Sequence, residues 1–571
     1  MRSNAQRFPA CCLFFALGVS LLCRTASAQQ SVRPAQPISG GIYRIAGTVV
    51  SKADGHPLGR ARITIRDAKD QQKLLSMITA EDGKYAFTGL PAGKYSLGAM
   101  KRGFIVALYE QHEQFSTAIV TGAGLDTENL VLRLAPKAVI AGRVLDAGEP
   151  VRHAQVTLYY EDHSEGVDRI RHANSDLTND LGEYEMTPLR PGTYFLSASA
   201  QPWYAVHPHS EQKVSEPPQF DSSQPPAEVT PTIEALPTVD RSLDVAYPVT
   251  YYADVTDSGE AAPILIRGGE RLQLDIHFNP APALRLVFRM PGDDTNGYKY
   301  PQLEQSTFDG STYVQGSSVQ PFPSGLVEIA GIPAGRYNVR LNGPGPDLQM
   351  NGVELTKDGE EIDASKSEAL STVKVSVQIQ GETLPPPPLT VGLRSRSRTN
   401  AFARPLDKKG EAELPSVPAG CYGFAIWGGA KPYFIAHISA EGAEVLGHTL
   451  IVAAGSSPSV ALTLVSGSAN VEGTVTRAGK GFAGAMVVLV PKDPEVNHDL
   501  FRRDQSDLDG TFLLRGVTAG SYTILSIENG WDLDWSQPNV IAAYAKGGRL
   551  IQVGGQTGPI KISGAIDVQP R

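Results

Sequence analysis

The sequence predicts an all-β chain of about five tandem antiparallel β-sandwich modules with little helix. Three observations carry this. A turn-and-strand pattern recurs five times, its strands alternate apolar and polar residues, and no long stretch shows the 3.6-residue period of an amphipathic helix. A chain of 571 residues also exceeds what one hydrophobic core serves, so several cores are expected.

In each copy of the pattern a glycine in a polar turn is followed ten residues later by a second glycine, and two residues after that by tyrosine. The glycine pairs are Gly83 and Gly93, Gly182 and Gly192, Gly325 and Gly335, Gly410 and Gly420, Gly510 and Gly520. The tyrosines are Tyr95, Tyr194, Tyr337, Tyr422 and Tyr522. The first copy, Asp82-Gly83-Lys84-Tyr85-Ala86-Phe87-Thr88-Gly89-Leu90-Pro91-Ala92-Gly93-Lys94-Tyr95, reads turn, strand, turn, strand. Asp-Gly supplies the positive φ of a tight turn, and Pro-Ala-Gly reverses the chain again, so a hairpin of two antiparallel strands is expected. Tyr85 and Phe87 share one side, as do Tyr95 and Leu97, which makes one face buried.

Upstream, copies one, two and five open with apolar-x-Gly-x-Val, in Ile45 to Val49, Ile140 to Val144 and Val471 to Val475. A second strand follows, as in Ala61 to Ile65, Ala154 to Leu158 and Ala485 to Leu489. Downstream an alternating strand closes each module, such as Leu130 to Leu134, Leu272 to Ile276 or Val460 to Leu464. Copies three and four are degenerate: Leu284 to Met290 and Val373 to Ile379 lack the internal glycine. The expected modules are 42–135, 136–282, 283–368, 369–467 and 468–571. Residues 201–245, rich in Pro, Ser and Glu, form an exposed loop or linker where flexibility is expected.

Residues 1–28 have the layout of a secretory signal: Arg2 and Arg7, an apolar run from Ala10 to Leu22, and Ala26-Ser27-Ala28 before Gln29. The run is too short to span a bilayer and no later stretch is long and apolar enough, so no transmembrane segment is expected. Cys11, Cys12 and Cys23 leave with the signal, and Cys421 alone cannot form an intramolecular disulfide. Cys421 reads as a small buried residue of its strand. The formal charge of -9 becomes three units more negative once Arg2, Arg7 and Arg24 leave. No basic run resembles a phosphate-binding stripe, so nucleic acid is not an expected partner.

The opening strand, Gly148 to Val156, Asp180-Leu181-Gly182-Glu183-Tyr184 and Leu90 to Tyr95 together resemble the carboxypeptidase regulatory-like domain. The resemblance is good in modules one, two and five and partial in three and four. It implies a transthyretin-like β-sandwich, related to carbohydrate-binding-like folds, and it implies export. Tandem arrays of this kind resemble envelope proteins of soil bacteria such as acidobacteria. The domain accompanies many activities without being the catalyst, so the resemblance carries over no catalytic residue and no cofactor.

The residues agree that no enzyme motif is present. There is no His-x-x-Glu, no His-Glu-x-x-His and no Gly-x-Ser-x-Gly. Ser371-Thr372-Val373-Lys374 lies on a strand, where Ser-x-x-Lys chemistry needs a helix start, and Lys374 lacks identifiable partners for an isopeptide bond. His207, His209 and Glu211 read as chance clustering in a Pro-rich loop, and Asp507, Asp509 and Gly510 as a hairpin turn rather than a calcium loop.

Aromatic placement is the most suggestive feature. Trp203, Trp427, Trp531 and Trp535 all sit in or near the loop after the tyrosine strand, and Phe104 holds the comparable place in module one. Such rings at one end of a sandwich either stack on sugar rings or plug the end of the core. The sequence therefore points to an exported, non-catalytic binding or adhesion protein, periplasmic or extracellular, whose partners are glycans or another envelope protein. The alternatives are a structural spacer rod of the envelope, then a hydrolase with a site at a module junction.

Overall fold

The computed structural model describes residues 40–209, 211–213, 232–234, 240–290, 299–314, 317–322, 325–343, 347–381, 389–395, 401–429, 433–466, 469–554 and 558–571. The signal expected at 1–28 and most of the Pro-rich loop, where flexibility is expected, lie outside the described residues.

Alternation sends every second side chain of a strand to one face, and here those faces meet in pairs of sheets. In sandwich 1 the opening strand Tyr43–Ser51 is flanked by Lys84–Leu90, antiparallel, and by the closing strand Leu130–Leu134. The facing sheet is built on Arg62–Asp67, Leu74–Ile78 and Gly93–Met100. The same plan repeats around the opening strands Ala138–Asp146, Leu284–Arg289, Ser371–Ile379 and Ala469–Arg477, giving five sandwiches, each with its own apolar core. In all five the closing strand runs parallel to the opening strand, a pairing not anticipated in a purely antiparallel sandwich.

The expected hairpin is corrected. Lys84–Leu90 and Gly93–Met100 are not paired with each other; each belongs to a different sheet, so Pro91-Ala92 carries the chain across the core. Alternation could not distinguish the two arrangements, because a hairpin and a crossing present the same apolar side chains. What holds the crossing is the tyrosine. The Tyr95 hydroxyl donates to the Pro91 carbonyl at 2.9 Å, four residues back. Tyr194 does so to Arg190 at 3.0 Å, Tyr337 to Pro333 at 2.6 Å, Tyr422 to Pro418 at 2.8 Å and Tyr522 to Thr518 at 3.1 Å. All five rings are buried, and burial pushes the phenol pKa of Tyr95, Tyr194, Tyr337 and Tyr522 up, which keeps each a neutral donor.

The missing glycines of copies three and four have a steric cause. Gly47 lies opposite Tyr85, Gly142 opposite Tyr184 and Gly473 opposite Phe512. The equivalent pairs in sandwiches 3 and 4 are Phe288 with Val327 and Val375 with Ala412. Where the opening strand carries glycine the partner strand supplies a ring; where it carries a larger side chain, the partner is smaller. The volume is conserved while the residues exchange strands.

Cys421 is also corrected. Strand Gly420–Gly428 turns Tyr422 and Phe424 inward, so Cys421 between them and the corner faces solvent. The one α-helix among the described residues, Pro538–Ala545, starts on a proline, which has no N–H to lose at that position.

A Cβ added at Gly473 would stand 2.5 Å from Phe512 Cζ. Gly473→Ala should therefore destabilise sandwich 5 by about 1 to 3 kcal/mol, and cost less when combined with Phe512→Val. Denaturation followed by tryptophan fluorescence, run as a double-mutant cycle, tests this; equal costs in both backgrounds would refute the steric pairing.

Candidate functional site

Sandwich 5 has a sheet that is apolar on both faces. Its strand Met486–Pro491 is buried at every residue. Val487 and Leu489 enter the sandwich core, while Met486, Val488 and Val490 point outward into a second apolar layer with Phe501, Leu525, Ile527 and Ile541. A sheet buried on both faces needs cover on both. The outer cover consists of Trp531 and Trp535, the helix Pro538–Ala545, and loops from sandwiches 1 and 2.

On the sandwich 1 side, His112 stacks on Trp531 with centroids 5.0 Å apart and Phe115 lies 5.5 Å from the same ring. Around this contact the polar groups are matched. Arg503, almost fully buried, grips Glu113 through two nitrogens at 3.0 and 2.6 Å, and also donates to the Ser164 carbonyl of sandwich 2 at 2.8 Å. Gln505 donates to the Glu110 carbonyl at 2.6 Å and to Thr117 at 2.8 Å. Asp507 accepts from Lys94 at 2.5 Å and from the Ala118 amide at 3.0 Å. Burial pushes the Asp507 carboxyl above its ordinary value, with Lys94 opposing. Asp507, expected to be only a turn residue, is thus a docking residue.

On the sandwich 2 side, Ser536 donates to the Gly166 carbonyl at 3.0 Å. Gly166 approaches Trp535 so closely that a Cβ would lie 2.5 Å from the ring. His163 has acceptors at both nitrogens, Asp168 on Nδ1 at 2.6 Å and the Leu533 carbonyl on Nε2 at 2.6 Å. Burial lowers its pKa, but these two acceptors outweigh it and the net shift is upward. His163, Asp168 and Asp534 lie close enough together for a metal. An imidazole aimed at a carbonyl through Nε2 presents a proton rather than a lone pair, so this group is an ion-pair cluster.

Through these contacts the last sandwich packs on the first and second, so the array folds back. Sandwich 4 joins the closure through His448, which meets Asp499 at 2.8 Å. Between sandwiches 2, 4 and 5 the closure leaves a cavity of about 850 Å3. Arg169 and Arg171 enter it from sandwich 2, Arg394 from sandwich 4 and Arg502 from sandwich 5. Glu165 is held by Arg171 at 2.8 Å, and the side chains of Phe434 and Trp535 supply apolar wall. Arg502 is spent on structure, donating to the Gly516 carbonyl at 2.8 Å and to the Asp499 and Phe501 carbonyls at 2.7 Å. Trp535 Nε1 and Arg171 Nε, enclosed behind this wall, have no acceptor among the described residues.

The candidate aromatic residues are not brought together. Trp531 and Trp535 are only 7% and 5% exposed, which corrects their reading as open stacking platforms: the outer face of the sheet required them as cover. Trp427 is half-buried with the Arg394 guanidinium 5.5 Å from its ring centre. Trp203 is 86% exposed beside Tyr204. Phe104 is half-buried against the sandwich 1 core at its junction with sandwich 2. His207 and His209 turn to different acids, Asp244 at 3.0 Å and Glu328 at 2.9 Å, and the side chain of Glu211 lies outside the described residues. Ser371 donates to the Ala453 carbonyl at 2.7 Å while Lys374 faces solvent.

The cavity residues were missed because they are polar and far apart in sequence. One signal was available: Met486 to Val490 has no alternation, unlike Arg62-Ile63-Thr64-Ile65-Arg66, and that marks a sheet with two buried faces.

Residues 44–118 match the carboxypeptidase regulatory-like domain. No curated protein matches the chain. Among solved structures, a Streptococcal ancillary pilin is similar at 13% identity over 51% of this chain and 100% of its own, with a TM-score of 0.17. The minor pilin of Streptococcus agalactiae is similar at 13% identity, over 42% and 97%, with a TM-score of 0.18. Two B repeat units of the collagen-binding protein of Staphylococcus aureus are similar at 10% identity, over 74% and 99%, with a TM-score of 0.13.

Two predictions follow from the seam. Trp531→Ala and Trp535→Ala should each cost about 3 to 5 kcal/mol in chemical denaturation; an unchanged midpoint would return these rings to the surface. The seam should also weaken with rising pH. The raised His163 pKa stabilises below the ordinary imidazole value of about 6.5, and that contribution is lost as pH rises through the raised value. Asp504, which burial pushes up to about 6, acts in the same direction at lower pH. The melting temperature should fall between about pH 5 and pH 8, with His163→Gln flattening the upper part and Asp504→Asn the lower.

Proposed function

We propose that this chain, whose residues 44–118 match the carboxypeptidase regulatory-like domain, is a non-catalytic carbohydrate-binding protein of the cell exterior. Its ligand is a neutral oligosaccharide held in the cavity between sandwiches 2, 4 and 5.

The observation that carries this reading is the lining of the cavity, where the guanidinium groups of Arg169, Arg171 and Arg394 stand beside the apolar side chain of Phe434. A hydroxyl-rich ligand supplies acceptors for such donors. Carboxylates and guanidinium groups beside the apolar side chain of Phe434 match a sugar ring, which is polar at its edge and apolar on its faces. The cavity also has the size of a small-ligand site and lies between domains, where such sites concentrate. The carboxylate of Glu165 is held by Arg171 and that of Asp499 by the His448 imidazole, unlike the free acid and base pair of a glycoside hydrolase. The signal expected in residues 1–28 supports placement outside the cytoplasm.

Exposed Trp203 beside Tyr204 favours a second contact, with another protein of the same compartment. Trp203→Ala should then leave sugar binding intact.

A glycan array followed by calorimetry with the best neutral oligosaccharide tests the proposal. Arg394→Gln removes a charge-assisted donor from the wall, so affinity should fall about three- to tenfold. Absence of any neutral glycan ligand, or undiminished affinity in the variant, would overturn it.

A further inference from the structure

The junction of sandwiches 1 and 2 gathers cations that the protein does not neutralise. Arg60, Arg62, Lys101 and Arg102 come from sandwich 1; Lys137 stands just before the opening strand of sandwich 2, and Arg190 at its sheet-crossing corner. Together they line a concave groove of about 760 Å3 to which no acidic side chain contributes. Among the described residues none of the six is in an ion pair with Asp or Glu, whereas Arg44, Arg143, Arg271, Arg285 and Arg289 each have one.

That contrast matters in a chain whose formal charge is -9. Acidic groups are in excess, so leaving six neighbouring cations unpaired is not a shortage of partners. Like charges brought into one groove repel, and screening by solvent reduces that repulsion without reversing it. The arrangement gains energy when an anion enters. The cations are dispersed over six sequence positions on four strands and loops, which is why no basic run showed in the sequence.

The groove is not only charged. Its floor includes Met100, Ile105 and Val106 with the half-buried ring of Phe104, while Arg102, Lys137 and Arg190 are exposed around it. An apolar floor with a cationic rim fits a chain that is apolar on its ring faces and anionic at its edge. A bilayer surface cannot follow a concave groove, and single-stranded nucleic acid relies on exposed rings for base stacking, which Phe104 does not provide. Arginine forks match planar carboxylates in particular.

We propose that the groove between sandwiches 1 and 2 binds an acidic polysaccharide, its carboxylates received by Arg102, Lys137 and Arg190 and its sugar faces resting on Met100 and Val106. This site is separate from the cavity between sandwiches 2, 4 and 5 and stands without it.

The test uses the full chain and a fluorescently labelled oligogalacturonate, with a malto-oligosaccharide of equal length as the neutral probe. Anisotropy should show binding of the acidic probe only, weakening about tenfold or more between 50 and 500 mM salt. The triple variant Arg102→Glu, Lys137→Glu, Arg190→Glu should lose about thirtyfold in affinity at an unchanged melting temperature, since exposed substitutions barely affect folding. Arg102→Gln with Lys137→Gln, which avoids new charge, should lose part of it, and Arg394→Gln none. Binding that survives the triple variant or is equal for the neutral probe would overturn the proposal. So would tighter, groove-dependent binding of single-stranded DNA or phosphatidylglycerol vesicles, which would assign the groove to another class of anion.

Discussion

The hydrogen bond from each corner tyrosine to the carbonyl four residues back is the constraint on which the rest of the molecule depends. It fixes the point at which the chain leaves one sheet and enters the facing one, and with it the register of both. A corner of two residues across an apolar core leaves its carbonyls few partners, and the phenol supplies one without bringing in water. Once the crossing is fixed, the opening strand has a ring or a small side chain opposite it. Glycine with tyrosine or phenylalanine, and phenylalanine or valine with a smaller partner, are then two solutions of one packing problem.

Much of this was legible, because it is local. The spacing of glycine, glycine and tyrosine lies within fourteen residues, and alternation gives the buried face of each strand directly. What alternation cannot give is the sheet to which a strand belongs, so the crossing read as a hairpin. Cys421 was legible and misread: its neighbour Tyr422 points inward, and successive residues of a strand face opposite ways. The tryptophans exposed a different limit. Their position after the tyrosine strand was clear, but whether a ring is covered depends on what docks there, and the docking partners Gly166 and His112 lie hundreds of residues away.

The seam around sandwich 5 shows how polar groups set beside an apolar layer make a contact specific. Arg503 alone engages Glu113, the Ser164 carbonyl and the faces of Trp531 and Trp535. Desolvating such a guanidinium is unfavourable unless every donor direction is met, so the contact tolerates one geometry and rejects near neighbours. That selectivity lets five similar modules assemble in one order. The cavity between sandwiches 2, 4 and 5 is a by-product of the same rigidity: three convex bodies held at fixed angles cannot fill the space they enclose.

The fold-back also sets an order of events in time. Lys94 and Asp507 are separated by 413 positions, so the surface of sandwich 1 around His112 and Phe115 is complete long before its cover has been synthesised. A growing or truncated chain carries that surface open, and only a finished one hides it. Closure is therefore the last step of maturation, and a chain that lacks sandwich 5 is marked as incomplete by the ring and the charges it leaves in water.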